Sequence, residues 1–161
     1  MIYFDIDGCF RDLEKEAYGE ESSEWNELHN GMKLLEYIEK DPYILLRSPE
    51  TEYCEALRSL NLSPIRFITA HKKPLWQYNT LLWIKEHFGT NVDVQFSYNA
   101  YTKMNKLKDE DFLVEDFPKF KEETLKRIIL IDKKYNRGCV PFIRITNPDQ
   151  FIKVVRELNN E

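Results

Sequence analysis

The sequence predicts an α/β fold with a mostly parallel sheet, and three observations carry that expectation. Short apolar strands alternate with charged, helically patterned stretches along the 161 residues, the pattern of strand–helix–strand units. The strands are short and end in polar residues: Asp5 and Asp7 follow Ile2-Tyr3-Phe4, Thr69 follows Ile65 to Ile68, and Glu115 and Asp116 follow Phe112 to Val114. In parallel sheets ligands bind at the carboxyl ends of strands, so these polar residues fall where such a fold builds a site. The expected architecture is a three-layer, Rossmann-like core (residues 1–10 and 62–161) with a small helical cap inserted after the first strand (residues 11–61).

Each element follows from local chemistry. Residues 2–6 are apolar and β-rich, a buried strand. From Cys9 to about Asn61 the texture is charged and helical. Ser22 and Ser23 are cap residues for a helix through Trp25 and Leu28, which Asn30-Gly31 would stop. Met32, Leu34, Leu35, Tyr37 and Ile38 pattern a second amphipathic helix, closed before Asp41-Pro42. Ser48-Pro49-Glu50 reads as an N-cap, a proline at the first helical position and an acidic first turn, opening a helix with Tyr53, Leu57 and Leu60 on one side. Ile65 to Ala70 is the next strand. Pro74 to Phe88 predicts a strong helix whose buried side is Leu75, Tyr78, Leu82 and Trp83, with Gly89 just past its end. Later strands are expected at Val92–Tyr98, Asp111–Asp116, Ile128–Ile131 and Val140–Ile143, before a closing helix from Pro148 to Leu158.

Bulk composition sets limits on function. Hydrophobic residues at 42 % and charged ones at 32 % describe a globular chain with a sizeable core. A net charge of −5 argues against a broad basic surface for long nucleic acid. Cys9, Cys54 and Cys139 are an odd, widely spaced set without a C-x-x-C pair, which fits a reducing cytosol better than a disulfide frame or a zinc site. No C-x5-R phosphatase loop is present. No leader-like segment opens the chain and no run reaches the length of a membrane span, so a cytoplasmic protein is expected.

The chemistry concentrates in Asp5-Ile6-Asp7-Gly8. Strand side chains alternate, so the two aspartates project to the same side a few ångströms apart. Like charges that close raise each other's pKa unless a cation lies between them. Phosphoryl transfer on a divalent metal uses such a pair, together with a proton donor and a cation or hydroxyl clamp. Thr69 is the candidate hydroxyl, Lys103 the candidate cation with Lys106 and Lys108 as rivals, and Asp116 beside Glu115 the candidate third acid. His71 lies near this set. His29 and His87 lack metal-ligand spacing, and Cys9 lacks an activating partner. Trp25, Tyr18 and Tyr37 are candidates for lining a pocket in the insert or for packing its core.

This order of parts resembles the haloacid-dehalogenase-like phosphatase superfamily over almost the whole chain. The narrower likeness is to its 5'-deoxyribonucleotidase branch. It is carried by Phe67-Ile68-Thr69-Ala70-His71 with the helix Asn79 to Gly89 that ends W-x-x-x-H-F-G, by Lys103 leading to Asp111-Phe112-Leu113-Val114-Glu115-Asp116, and by the insert after the first strand. The resemblance implies that Asp5 is a nucleophile forming an aspartyl-phosphate and that Asp7 is the general acid and base. It implies that Thr69, Ala70 and Lys103 bind phosphate and that Asp5, Asp7 (through its backbone carbonyl) and Asp116 hold Mg2+. The implied substrate is a small phosphomonoester, a nucleoside monophosphate, covered by the insert; no membrane partner is implied and self-association is left open. The sequence departs from the branch at Glu115, where a second aspartate is common, and at Leu13, where an aromatic that stacks on the base is common. Asp12 fits the branch's post-motif aspartate.

Rival readings keep the same fold. One changes the substrate to a sugar phosphate or a polynucleotide 3'-phosphate. Another makes the chain a catalytically silent binder of a phosphorylated ligand or partner, against which the retention of Asp5, Asp7, Thr69 and Asp116 weighs, since binding alone needs no nucleophile.

Overall fold

The computed structural model describes residues 1–159. Its centre is a six-stranded sheet of β1 (Ile2–Phe4), β2 (Ile65–Thr69), β3 (Val92–Phe96), β4 (Phe112–Glu115), β5 (Ile128–Ile131) and β6 (Ile143–Ile145). The strand order is β3-β2-β1-β4-β5-β6, and every neighbouring pair is parallel, where a mostly parallel sheet was expected. The order reverses between β1 and β4, so the crevice at their carboxyl ends is the topological switch point, where this architecture binds ligands.

Alternation along the strands sorts two cores. Ile2, Phe4, Phe67, Val114, Ile129 and Ile131 face helices α4 (Tyr53–Ser59), α5 (Pro74–Phe88) and α7 (Pro148–Asn159) in the larger core. Tyr3, Ile68, Leu113, Ile128 and Leu130 face the other way, onto Met104 and Leu107. That second face is thin: its crossovers are 3-10 turns at Ala100–Thr102 and Met104–Lys106 and the four-residue helix α6 (Glu122–Leu125). Lys103 lies at the junction of the two turns, so the short crossover is what delivers it to the sheet.

The insert between β1 and β2 starts with α1 (Leu13–Tyr18), capped by Asp12, whose carboxylate accepts from the Lys15 amide at 3.0 Å. The helix expected after Ser22-Ser23 does not form; residues 20–32 are turns, with the Ser23 amide donating to Glu27 at 2.6 Å rather than capping a helix. α2 (Leu34–Lys40) ends at Asp41 as its pattern predicts. α3 (Ile44–Arg47) then ends at Ser48, whose hydroxyl donates back to the Ile44 carbonyl at 2.5 Å. Ser48 is therefore a helix end and not the expected N-cap. Pro49 and Glu50 run extended beside the first turn instead, the Pro49 carbonyl accepting from the Asp12 amide at 2.9 Å and Glu50 bridging Arg11. The N-cap position of α4 is Glu52, which makes no side-chain capping bond; Thr51 braces the helix start, its hydroxyl oxygen accepting from the Tyr53 amide at 3.3 Å and its proton going to the Cys9 carbonyl at 2.6 Å. α4 falls within residues 11–61, the stretch expected to form the cap, yet Tyr53, Cys54, Ala56 and Leu57 belong to the main core. The separate small core of the insert is Leu13, Ile38, Ile44 and Leu45 against Trp76.

Two further expectations change. α5 spans the predicted residues, but its buried side is Trp76, Asn79, Thr80, Trp83 and Ile84, while Leu75, Tyr78 and Leu82 are exposed. The inward face is partly polar because it must satisfy the insert: Asn79 donates to the Pro42 carbonyl at 3.0 Å, and Trp83 to the Ser48 carbonyl at 2.9 Å. The last strand is Ile143–Ile145 rather than Val140–Ile143. Pro141 has no N–H for a ladder, and Val140 is left 78 % exposed.

Candidate active site

The first turn after β1 is built around Gly8. The Gly8 amide donates to the Arg11 carbonyl, and the Phe10 and Arg11 amides both donate to the Ile6 carbonyl, each at 2.9 Å. Gly8 has φ +80, and a Cβ there would lie 1.9 Å from Asp116 Oδ2. Only glycine lets the turn and the β4 terminus approach this closely.

Asp5 leaves β1 with its amide donating to the Val114 carbonyl at 2.9 Å, which fixes it beside the end of β4. The Lys103 ammonium lies 2.7 Å from Asp5 Oδ1 and 2.5 Å from Glu115 Oε1. The other oxygen of Glu115, Oε2, accepts from the Asp116 and Phe117 amides at 2.7 and 2.8 Å. Both oxygens of Glu115 are thus committed, and its place is to hold Lys103. Asp116 accepts from the Tyr135 hydroxyl, while Asn136 donates to the Asp116 carbonyl at 2.9 Å and to the Ile131 carbonyl at 2.8 Å. Asp5, Lys103, Glu115 and Asp116 are all buried. Burial, then the neighbouring Glu115 charge, push the Asp5 carboxyl up to about 7 despite Lys103. Burial, Glu115 and Asp5 push Asp116 well up as well. Burial works against the Lys103 charge, but Asp5 and Glu115 outweigh it and hold the ammonium firmly protonated.

Asp7 is in different surroundings. Its Oδ1 accepts from Arg11 Nε at 2.7 Å and its Oδ2 lies 2.9 Å from His71 Nε2. Burial opposes its charge, yet Arg11 and His71 hold the carboxyl well below the usual range.

Side-chain oxygens or sulfur of Asp5, Cys9, Glu115 and Asp116 lie within 4.8 Å of one another, close enough to hold a metal ion. The donor chemistry narrows the set. Burial pushes the Cys9 thiol far up, so it stays protonated, and Glu115 has no free oxygen. Asp5 and Asp116 remain, and Asp5 Oδ1 has no aligned hydrogen bond. Two crowded carboxylates of raised pKa suit a hard, oxygen-preferring cation. The Asp7 carboxylate is not part of this cluster.

A cavity of about 520 Å³ opens above these residues and is lined by Asp5, Asp7, Thr69, Ala70, Lys103 and Asp116 together. Thr69 is buried at the end of β2, its carbonyl accepting from the Ser97 amide at 2.9 Å. Among the three lysines Lys103 is the buried one; Lys106 and Lys108 are exposed. Trp25 from the insert closes one wall, packing edge-on against Phe117 and Tyr135 with centroids 5.1 and 5.4 Å away. Asp12 and Leu13 also line the cavity, Lys72 stands at its edge over the Tyr98 ring, and Lys73 pairs instead with Glu39. Tyr18 and Tyr37 are not on its walls; Tyr18 stacks on His29 at 3.9 Å. His87 bonds Glu50 at 2.7 Å, away from the site.

Sequence reasoning missed Arg11, Tyr135 and Asn136. The latter two follow β5 and lie on the same rim of carboxyl strand ends, a position that could have drawn notice. Arg11 has no local signal. No family model matches the chain, and no curated protein matches it.

Proposed function

We propose that this protein is a Mg2+-dependent phosphomonoesterase that carries the phosphoryl group on Asp5 and acts on nucleoside monophosphates. The observation that supports this reading most is the meeting of Asp5, Lys103 and Asp116 at the switch point, with Asp7 one turn away and Thr69 on the adjacent strand.

Asp5 attacks phosphorus while the ester bond to the leaving oxygen breaks. The leaving oxygen takes a proton from Asp7, and in the second half Asp7 takes a proton from water as the water attacks the aspartyl-phosphate and frees Asp5. Arg11 and His71 keep Asp7 ionised beforehand; a phosphoryl anion beside it raises its proton affinity, so that Asp7 takes up a proton from solvent as substrate binds, and this is the proton passed to the leaving oxygen. Lys103 balances the charge of nucleophile and phosphoryl oxygens, and Thr69 with the Ala70 backbone orients those oxygens. Asp5, Asp116 and the Asp7 carbonyl would hold Mg2+, which when bound neutralises phosphoryl charge.

The nucleotide assignment draws on the resemblance to deoxyribonucleotidases and on a cavity of about 520 Å³ with aromatic walls, Trp25 and Trp76, within the range that holds a small organic ligand. The test is phosphate release from p-nitrophenyl phosphate with and without Mg2+, followed by a panel of deoxy- and ribonucleoside 5'- and 3'-monophosphates beside sugar phosphates. Mg2+-dependent turnover that falls below about one-thousandth in Asp5→Asn is expected, with nucleotides preferred. No turnover overturns the enzyme, and faster sugar-phosphate turnover overturns the nucleotide.

A further inference from the structure

Arg11 is fully buried, and its guanidinium joins three separate parts of the fold. Nε donates to Asp7 Oδ1 at 2.7 Å in the first turn. One terminal nitrogen donates to the Leu45 carbonyl of α3 at 2.8 Å, inside the insert. The other donates to the Thr80 hydroxyl of α5 at 3.0 Å and lies 3.2 Å from His71 Nε2. The plane packs over the Trp83 ring at 5.4 Å. A planar fork with five donors can serve a carboxylate, a carbonyl and a hydroxyl at once; an ammonium cannot match that geometry.

His71 completes the grip. A lone pair on Nε2 would face an Asp7 oxygen 2.9 Å away, so Nε2 carries the hydrogen and donates to Oδ2. Nδ1 is then left buried without a partner. Asp7 thus has one oxygen fixed by Arg11 and the other by His71, while its side chain keeps 20 % exposure onto the cavity. Arg11 itself does not reach the cavity wall.

We propose that Arg11 is the positioning residue for Asp7, fixing its carboxylate toward the cavity and tying that placement to the docking of α3 on α5. The catalytic part of this statement rests on the phosphomonoesterase reading; the coupling of the first turn to α3 does not. Because the insert's own carbonyl accepts from Arg11, α3 stays seated on the core whenever Asp7 is in place.

The experiment compares wild type with Arg11→Met, Arg11→Lys and Arg11→Ala, reading p-nitrophenyl phosphate kinetics and amide hydrogen exchange on the full chain. Arg11→Met is expected to lower kcat by about 10- to 100-fold with KM within about threefold, since the phosphate ligands are untouched. Arg11→Lys keeps a cation against Asp7 and serves as the folded control; it is expected to restore thermal stability but not kcat. Added guanidinium is expected to restore part of kcat in Arg11→Ala and to do nothing in wild type. In both Arg11→Met and Arg11→Lys, exchange should quicken together in the first turn and in α3. Unchanged kcat in Arg11→Met, or full recovery in Arg11→Lys, overturns the positioning role. Unchanged exchange at α3 overturns the coupling, whatever the turnover. Wild type without turnover, but with coupled exchange, would count against the phosphatase reading and leave the coupling standing.

Discussion

Asp5 and Asp7 are two residues apart, both packed against the same turn, and the fold treats them in opposite ways. Asp5 stands among Glu115 and Asp116 with one ammonium shared between it and Glu115, so its carboxyl is pushed up to about 7. Asp7 has a guanidinium and an imidazole to itself and is held low. Burial raises both carboxyls, and the partners decide which way each one ends. Acids that outnumber their cations form a place that a divalent ion would relieve; an acid with a donor on each oxygen is complete without one. The side chains thus divide the turn into a charge-deficient half and a charge-satisfied half.

The largest effect should come from the deficient half. If the proposed function holds, wild type should turn over with Mg2+ and melt higher in its presence, and Asp116→Asn is expected to lower that turnover by roughly 10²- to 10³-fold and to abolish the rise in Tm, measured by thermal melts with and without chelator. An undiminished Mg2+ shift in Asp116→Asn would show that the cation is held elsewhere.

Next comes the shared lysine. Lys103→Met leaves Asp5 and Glu115 buried without a cation, and breaking such a pair costs about 3–5 kcal/mol. Lys106→Met, at an exposed position, should behave as wild type within about 0.5 kcal/mol. Adding Glu115→Gln to Lys103→Met should recover much of the lost stability but none of the activity, as read by urea unfolding and kinetics on the same samples. If the double variant is no more stable than Lys103→Met, the charge imbalance described for this half is wrong.

The contact between the halves gives a smaller effect. Gly8→Ala places a Cβ on Asp116 Oδ2 and forces alanine to φ +80, a strain of about 1–3 kcal/mol. In a chain of this size that is a fall in Tm of several degrees, at about 2–4 °C per kcal/mol, together with a weaker Mg2+ shift. Equal melts for Gly8→Ala and wild type would mean that the turn and the β4 terminus do not approach as described.

How far the sequence revealed these halves depended on how local their causes are. The charge-deficient half is written at strand ends: apolar alternation followed by an acid or a hydroxyl marks Asp5, Thr69 and Asp116 from a few residues each. The parallel sheet and α5 follow from similarly short patterns. Arg11 was not legible, because a single arginine after a turn becomes a buried clamp only once Leu45, Thr80 and Trp83 have been brought to it from elsewhere. The orientation of α5 failed for the same reason. Periodicity puts Leu75, Tyr78 and Leu82 inside, but the insert's carbonyls and Arg11 need Asn79 and Thr80 there. Ser48 likewise carries the chemistry of a helix start and is used at a helix end, since Pro49 and Glu50 are drawn into pairing with residues 11 and 12.

Glu50 offers the mildest test, because it bridges Arg11 through the backbone while its own side chain turns outward. Its carboxylate accepts from Arg58 at 2.6 and 3.0 Å and lies 2.7 Å from His87 Nδ1. The Arg58 hydrogen bond, followed by His87 against a modest burial penalty, holds its pKa below the ordinary 4.5. A carboxyl whose folded pKa is depressed stabilises the fold above its unfolded pKa, and that contribution disappears as pH falls through the folded value. Glu50 is about one-third exposed, so solvent screening limits the contribution to a few tenths to about 1 kcal/mol, smaller still in high salt. Glu50→Gln should therefore lower the urea midpoint slightly at pH 7, and the difference from wild type should shrink as pH falls and the wild-type carboxylate takes up its proton. Asp7, paired with the fully buried guanidinium of Arg11, should respond far more strongly than Glu50 to removal of its partner. If Arg58→Met cost as much stability as Arg11→Met, the distinction between the buried clamp and the half-exposed pair would fail, and with it the claim that position in the fold sets what each carboxylate does.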